Sequence, residues 1–192
     1  GRKLIQILTP GGASTEELFE GIDEAADLGA EFCLPHTSWV DARISSARKQ
    51  IEDWPRVSEY IREKGMIPGP SPHRPEAIVV SDAAGYDVAT CIQPLNPIGF
   101  LCAVETDWMA GVINRTEKPV ICIKPLGAGR VNPPTGLSFA FANIKPIDMV
   151  CIGLLSPEEA EEDLQIVRQI FERQRASVEL QYTRSKAALT GE

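Results

Sequence analysis

Lys64-Gly-Met-Ile-Pro-Gly-Pro-Ser-Pro-His-Arg-Pro-Glu76 contains one complete structural unit in a single stretch. Gly65 fits the stop position of a preceding helix, where the chain turns left-handed and a Cβ is unwelcome. Met66-Ile67 is a short apolar run entering the loop Pro68–His73, and Arg74 to Ala84 reads as the helix that follows. Prolines at 68, 70 and 72 make that loop extended and rigid. It serves equally to aim His73 inward or simply to carry the chain across. The unit is strand, turn, helix.

The same unit recurs on both sides. Upstream, Leu4-Ile-Gln-Ile-Leu8 is a strand, and Ser14 with Glu17 forms a capping box for a helix whose apolar face is Leu18, Ile22, Ala25 and Ala26. Glu31 to Leu34 is the next strand, followed by a helix with apolar residues Ile51, Trp54, Val57, Tyr60 and Ile61. Downstream, Asp87 to Leu95 precedes a helix over Val104 to Asn114, and Val120 to Lys124 precedes one over Gly136 to Asn143. Asp148 to Ile152 leads into a helix opened by Ser156 and Pro157 and running to about Gln174.

This gives six βα units in series with no long run of consecutive strands. Such alternation implies an α/β fold with a parallel sheet, closed as a (β/α) TIM-type barrel or open and doubly wound. No G-x-G-x-x-G follows the first strand, which disfavours the doubly wound dinucleotide fold. One domain over residues 1–174 is expected, with 175–192 a loosely attached tail. A full barrel takes about 250 residues. Six units leave two unpaired edges: the stretch belongs to a longer polypeptide (the preferred reading), or a second chain, as in a homo-oligomer, completes or covers the opening, or the sheet stays open.

With 192 residues, 43% of them hydrophobic, the chain can bury a sizeable core. The net charge of −8 argues against nucleic acid or an anionic membrane surface as partner. No apolar run is long enough to span a bilayer, and the N-terminus does not read as a signal peptide. Cys33, Cys91, Cys102, Cys122 and Cys151 show no zinc spacing, and four of the five lie in short apolar runs. They read as reduced core residues of a cytoplasmic protein.

Barrel chemistry collects where strands end and loops begin. His36 follows the second strand, Ser71 and His73 the third; Gln93 and Asn96 end the fourth. Lys124 ends the fifth, with Gly127, Gly129 and Arg130 after it. Both histidines of the chain thus fall on one rim with a lysine, a pattern expected of a small-molecule site. Trp39-Val-Asp41 reads as loop packing over the barrel mouth, and Asn132-Pro-Pro134 as a simple redirection of the chain.

Four segments, in order, resemble the aldo-keto reductase superfamily: Ala26–His36, Lys64–Glu76, Lys118–Arg130 and Ile152–Leu164. The resemblance covers about residues 1–172 and matches the last six βα units of that family's barrel. It implies reduction of a small carbonyl compound with NADP or NAD. The family's chemistry uses an Asp, a Tyr, a Lys and a His, the tyrosine donating a proton while the cofactor delivers hydride. His36 matches the histidine. The lysine position falls on Pro10, and the Asp and Tyr belong to units that precede this stretch. On the cofactor side, Ser71 matches a carboxamide-binding serine whose companion Asn is Pro72, and Gln93 a carboxamide-binding glutamine. Lys124 replaces the aromatic residue that stacks on nicotinamide. Gly127 and Gly129 match the pyrophosphate loop, with Arg130 as the nearby cation. Leu155 stands for the 2′-phosphate cation and Asp163 for the adenine Asn, while Glu158 and its neighbours make that helix start acidic.

Two other readings stay open. In one, a divergent barrel enzyme works without nicotinamide. His36 and His73 act there as acid and base or, with Asp41, as ligands of a divalent metal, while Lys124 acts as an anion clamp or an imine-forming amine. In the other, the barrel is a non-catalytic binding or regulatory subunit.

Overall fold

The computed structural model describes residues 4–173. The chain runs β1 (Ile7–Leu8), α1 (Thr15–Asp27), β2 (Phe32–Cys33), α2 (Thr37–Val40), a 3-10 turn Asp41–Arg43, β3 (Ile44–Ser45), β4 (Gln50–Ile51), α3 (Trp54–Glu63) and β5 (Ile67–Pro68). It continues through α4 (Glu76–Ala84), β6 (Cys91–Pro94), α5 (Thr106–Arg115), β7 (Val120–Ile123), α6 (Pro133–Ala142), β8 (Met149–Cys151) and α7 (Pro157–Phe171). It divides into two compact units: Gly1–Gln93 with Arg115–Ile121, and Pro94–Asn114 with Cys122–Glu192. The expected tail 175–192 lies outside the described residues.

In the first unit β1, β2 and β5 pair in parallel, with Ile7 and Leu8 opposite Phe32 and Cys33, and these opposite Ile67 and Pro68. The ladder continues past the strands. His36 N–H donates to Pro10 O at 2.8 Å and Ser71 N–H to Pro35 O at 2.9 Å. Ala89 N–H and Ile92 N–H donate to Pro68 O and Pro70 O, each at 3.0 Å, so the chain entering β6 runs close beside the end of β5. The other sheet runs β6-β7-β8. Within each of these two sheets, successive βα units lay their strands side by side. A doubly wound sheet would instead reverse direction at a switch point. No closed sheet is formed among the described residues. The fold is α/β with parallel strands added in sequence order.

The local signals explain the helices. Ser14 Oγ accepts from Glu17 N–H at 3.1 Å while the Glu17 carboxylate accepts from Ala13 N–H at 2.8 Å, so two orphan donors at the start of α1 are satisfied. Leu18, Ile22 and Ala25 then turn into the core with Leu34, Trp54, Val57 and Ile61. Removing the cap in Ser14→Ala is expected to cost about 1 kcal/mol, read as a lower urea midpoint at unchanged slope. In the second unit, Met109, Ile113, Leu137, Ala140 and Ile166 are buried from α5, α6 and α7.

Three expectations are corrected. Ile51 is not on a helix; it lies in β4, paired antiparallel with β3, and Asp53 between it and α3 is left-handed at φ 60°. The left-handed turn breaks any helix that would join Ile51 to Trp54. Pro133 does more than redirect the chain, since it is the first residue of α6, a position where its missing N–H costs nothing. Cys33, Cys91 and Cys122 are buried as expected, but Cys151 is exposed because β8 is the outer strand of its sheet. β1 is likewise an outer strand, and Leu4, Ile5 and Ile7 are exposed on or beside it.

Candidate functional site

In the second unit, β7 ends at Ile123, and Lys124 takes a left-handed conformation (φ 60°) immediately before Pro125. Gly127, Ala128 and Gly129 are also left-handed, at φ 52°, 54° and 78°. A lysine and an alanine held there each cost about 1 kcal/mol or more, sustained by what packs around the turn. Gly127 N–H donates to Lys124 O at 3.0 Å, and Val131 N–H returns to Leu126 O at 3.1 Å. Behind the turn α6 approaches so closely that a Cβ on Gly136 would stand 2.5 Å from Pro125 O.

This turn and the segment after β8 enclose a cavity of about 510 Å³. Its walls are mainly apolar, including Leu126, Val131, Ile152, Leu154 and Leu155; Lys124, Cys151 and Glu159 also line it. Burial pushes the Lys124 ammonium below the usual lysine range, while the facing Cys102 thiol pulls slightly the other way. Cys102 itself is pushed up by burial.

At the cavity's far wall the start of α7 is already satisfied by its own side chains. Ser156 Oγ accepts from Glu159 N–H at 3.2 Å, and the Glu159 carboxylate accepts from Leu155 N–H at 2.8 Å. Glu158 is held below the usual carboxylate range by its own backbone N–H and by Ser156. Two carboxylates in this first turn stabilise the helix dipole and repel an anion.

Of the residues expected here, Lys124 and Gly129 line the cavity. Arg130 is drawn aside: its guanidinium donates to Gly127 O at 3.0 Å and lies 4.3 Å from the centre of the Phe100 ring. Cys151 in the lining is unexpected, and Glu159, expected at the acidic start of α7, also reaches the cavity. The cysteine reads as core from its apolar neighbours, whereas the Ser156–Glu159 spacing does signal a capping carboxylate.

In the first unit the ladder brings His36 directly beside Ser71. His36 is exposed and caps α2, its Nδ1 accepting from Ser38 N–H at 3.2 Å. Asp41 is spent structurally: its carboxylate accepts from the backbone N–H groups of His73 (3.2 Å) and Arg74 (3.4 Å) and from the Thr37 hydroxyl at 2.7 Å. Gln93 is 0% exposed and its Nε2 donates to His73 O at 3.1 Å, while Oε1 is enclosed without a hydrogen-bond partner. Trp39 is buried on α2, with Arg43 stacked 4.5 Å from its ring centre. Among the described residues no cluster of three or more His, Cys, Asp or Glu is arranged to hold a metal ion. No described helix is long and apolar enough to cross a membrane.

No protein-family model matches the chain, and none of the curated proteins matches it.

Proposed function

We propose that the chain is a divergent (β/α)-barrel protein of the aldo-keto reductase kind that takes a small carbonyl compound in the β7–β8 cavity without firmly holding a nicotinamide dinucleotide. One observation carries this reading: Lys124, held left-handed at a strand end, lines the mainly apolar cavity. A carbonyl compound with an uncharged body suits such a site. Its body gains from leaving water, and its oxygen accepts a hydrogen bond from the one basic side chain among the lining residues. The sequential strand order supports the barrel side of the proposal.

The dinucleotide implied by the resemblance fits these residues poorly. Its phosphate end would meet Glu158 and Glu159, with the α7 donors already capped and Leu155, 70% exposed, where a cation is wanted. Its carboxamide end would need Gln93, which is fully enclosed, and Pro72, which lacks the side-chain amide of the Asn it replaces. The metal-assisted alternative finds no donor set among the described residues.

Titration with NADH and NADPH tests the dinucleotide part, following fluorescence of Trp108, which lies on α5 and is 43% exposed, together with thermal stability. No saturable quenching and no thermal shift up to about 1 mM nucleotide are expected, since that limit corresponds to about 4 kcal/mol of binding. Saturable quenching at micromolar nucleotide would overturn this part and restore NAD(P)-linked carbonyl reduction. That second reading is favoured by the glycine turn lining the cavity.

A further inference from the structure

We propose that the open edge of β1 docks an extended segment of another protein, one with lysine or arginine at alternate positions and apolar residues between them. The site lies within the first unit and is independent of the carbonyl-binding reading.

The main chain of β1 is used on one side only. Gln6 O accepts from Phe32 N–H at 3.2 Å, Leu8 O from Leu34 N–H at 2.8 Å and Pro10 O from His36 N–H at 2.8 Å, so the even-numbered residues face β2. Main-chain groups of successive strand residues point to opposite sides. The N–H and C=O groups of Ile5, Ile7 and Thr9 are thereby turned to the outer side of the sheet, where β1 has no neighbour. Such a row is a template for one more strand. Edges that stay bare are commonly guarded by charges or prolines, and Leu4 to Thr9 contains neither.

Side chains decide which strand fits. They alternate between the two faces. Pro10 faces α1, since a Cβ added to Gly21 would stand 2.8 Å from Pro10 Cβ. Leu8 shares that face, while Ile5 and Ile7 lie on the opposite one, 65% and 36% exposed. Along the α1 face runs a groove of about 490 Å³, lined by Leu8 and Thr9 and by Glu17, Glu20, Glu24 and Leu28. The Glu17 carboxylate is committed to Ala13 N–H. Glu20 and Glu24, both exposed, are the carboxylates that an incoming chain meets.

Two spacings then coincide. Helix residues four apart are separated by about 6 Å along the axis, and alternate residues of a strand by about 6.7 Å. A chain laid along β1 therefore sets two alternate side chains beside Glu20 and Glu24, and turns those between them toward the face of Ile5 and Ile7. Cations at the first positions and apolar groups at the second suit both faces. A second copy of this chain suits them worse. Its own β1 has no cation between Leu4 and Thr9, and it brings a further Glu20 and Glu24 to the same sheet face.

The whole chain is titrated with a capped peptide of about seven residues alternating arginine and valine, a usual strand length, and amide exchange with solvent is followed by NMR near neutral pH. With peptide at about ten times its Kd, exchange should slow about tenfold at Ile5, Ile7 and Thr9. Leu34 N–H, already bonded to Leu8 O, should stay as it was. Glu20→Gln combined with Glu24→Gln should weaken binding about tenfold, and added salt should weaken it too. Of two peptides N-methylated at alternate residues, one should lose binding and the other keep it, because only one set of N–H groups faces β1. Binding that both N-methylated peptides retain, or that leaves the three amides unchanged, would show attraction to an acidic surface only and overturn the docking edge. Equal affinity for a peptide alternating threonine and valine would overturn the basic partner. Slowed exchange at the same amides on raising protein concentration without peptide would give the edge to a second copy instead. No saturable binding up to about 1 mM peptide would overturn the proposal outright.

Discussion

Gly69→Ala is expected to destabilise the first unit by about 3 kcal/mol or more. An added Cβ would stand 1.9 Å from Thr90 O and 2.8 Å from Leu34 Cδ2. The first obstacle is backbone, so it cannot rotate away, and the extension of β5 must separate from the chain entering β6. That separation would break the flanking bonds from Ala89 N–H to Pro68 O and from Ile92 N–H to Pro70 O. Two lost hydrogen bonds contribute about 1 kcal/mol each, and the forced displacement about as much again. Gly65→Ala is the control. Gly65 is left-handed at φ 80° but has no atom within 4 Å of its added Cβ, so only conformational strain of about 1 kcal/mol applies. Urea titration followed by circular dichroism should rank Gly69→Ala well below Gly65→Ala. The reverse order, or a Gly69→Ala midpoint equal to wild type, would show that β5 and β6 do not approach as described.

The same glycine shows where reading from sequence stops. Pro68-Gly-Pro70 is legible as extended and rigid, because proline acts on its own backbone and on its neighbour. That the glycine must let another strand's carbonyl come close depends on a residue far along the chain. The capped helices were legible for the opposite reason: Ser14 with Glu17, and Ser156 with Glu159, lie within one turn of each other. The β3–β4 hairpin was not, since its turn carries Lys49 at φ 52° and lacks the glycine or Asn-Gly that announces such turns. Lys124 and Gly129 stand out in the sequence from their position after a strand end, and both line the cavity. Arg130 was placed correctly along the chain, but Phe100 decides where its guanidinium rests. Gln93 and Ser71 were placed at strand ends too, yet both are buried, and strand position says nothing of depth. Cys151 failed for a related reason. Its apolar run reads as core, and only the strand order shows that β8 lies outermost.

Asp148→Ala is expected to cost the second unit about 3–5 kcal/mol, the range found when one partner of a buried ion pair is removed. The Asp148 side chain is 0% exposed and that of Lys145 16%, with Nζ 2.9 Å from Oδ1. Asp148 Oδ2 also accepts from Lys145 backbone N–H at 2.8 Å, and Lys145 Nζ reaches on to Ile113 O at the end of α5. Removing the carboxylate leaves a largely buried ammonium facing one neutral oxygen, and strips a backbone donor of its acceptor. Replacing both partners is a different matter. Lys145→Met with Asp148→Ala eliminates the stranded charge, so the double variant should be more stable than Asp148→Ala alone, by a coupling of about 1–3 kcal/mol. Urea unfolding followed through Trp108 measures both, because that residue lies on α5 in the same unit. The pair sits immediately before β8, which carries Cys151 toward the cavity. Asp148→Ala should therefore also speed amide hydrogen exchange at Val150 and Cys151, the local opening that a lost clamp permits. Simple additivity of the two substitutions, with exchange at β8 unchanged, would mean that the ion pair holds neither the strand nor the cavity wall behind it.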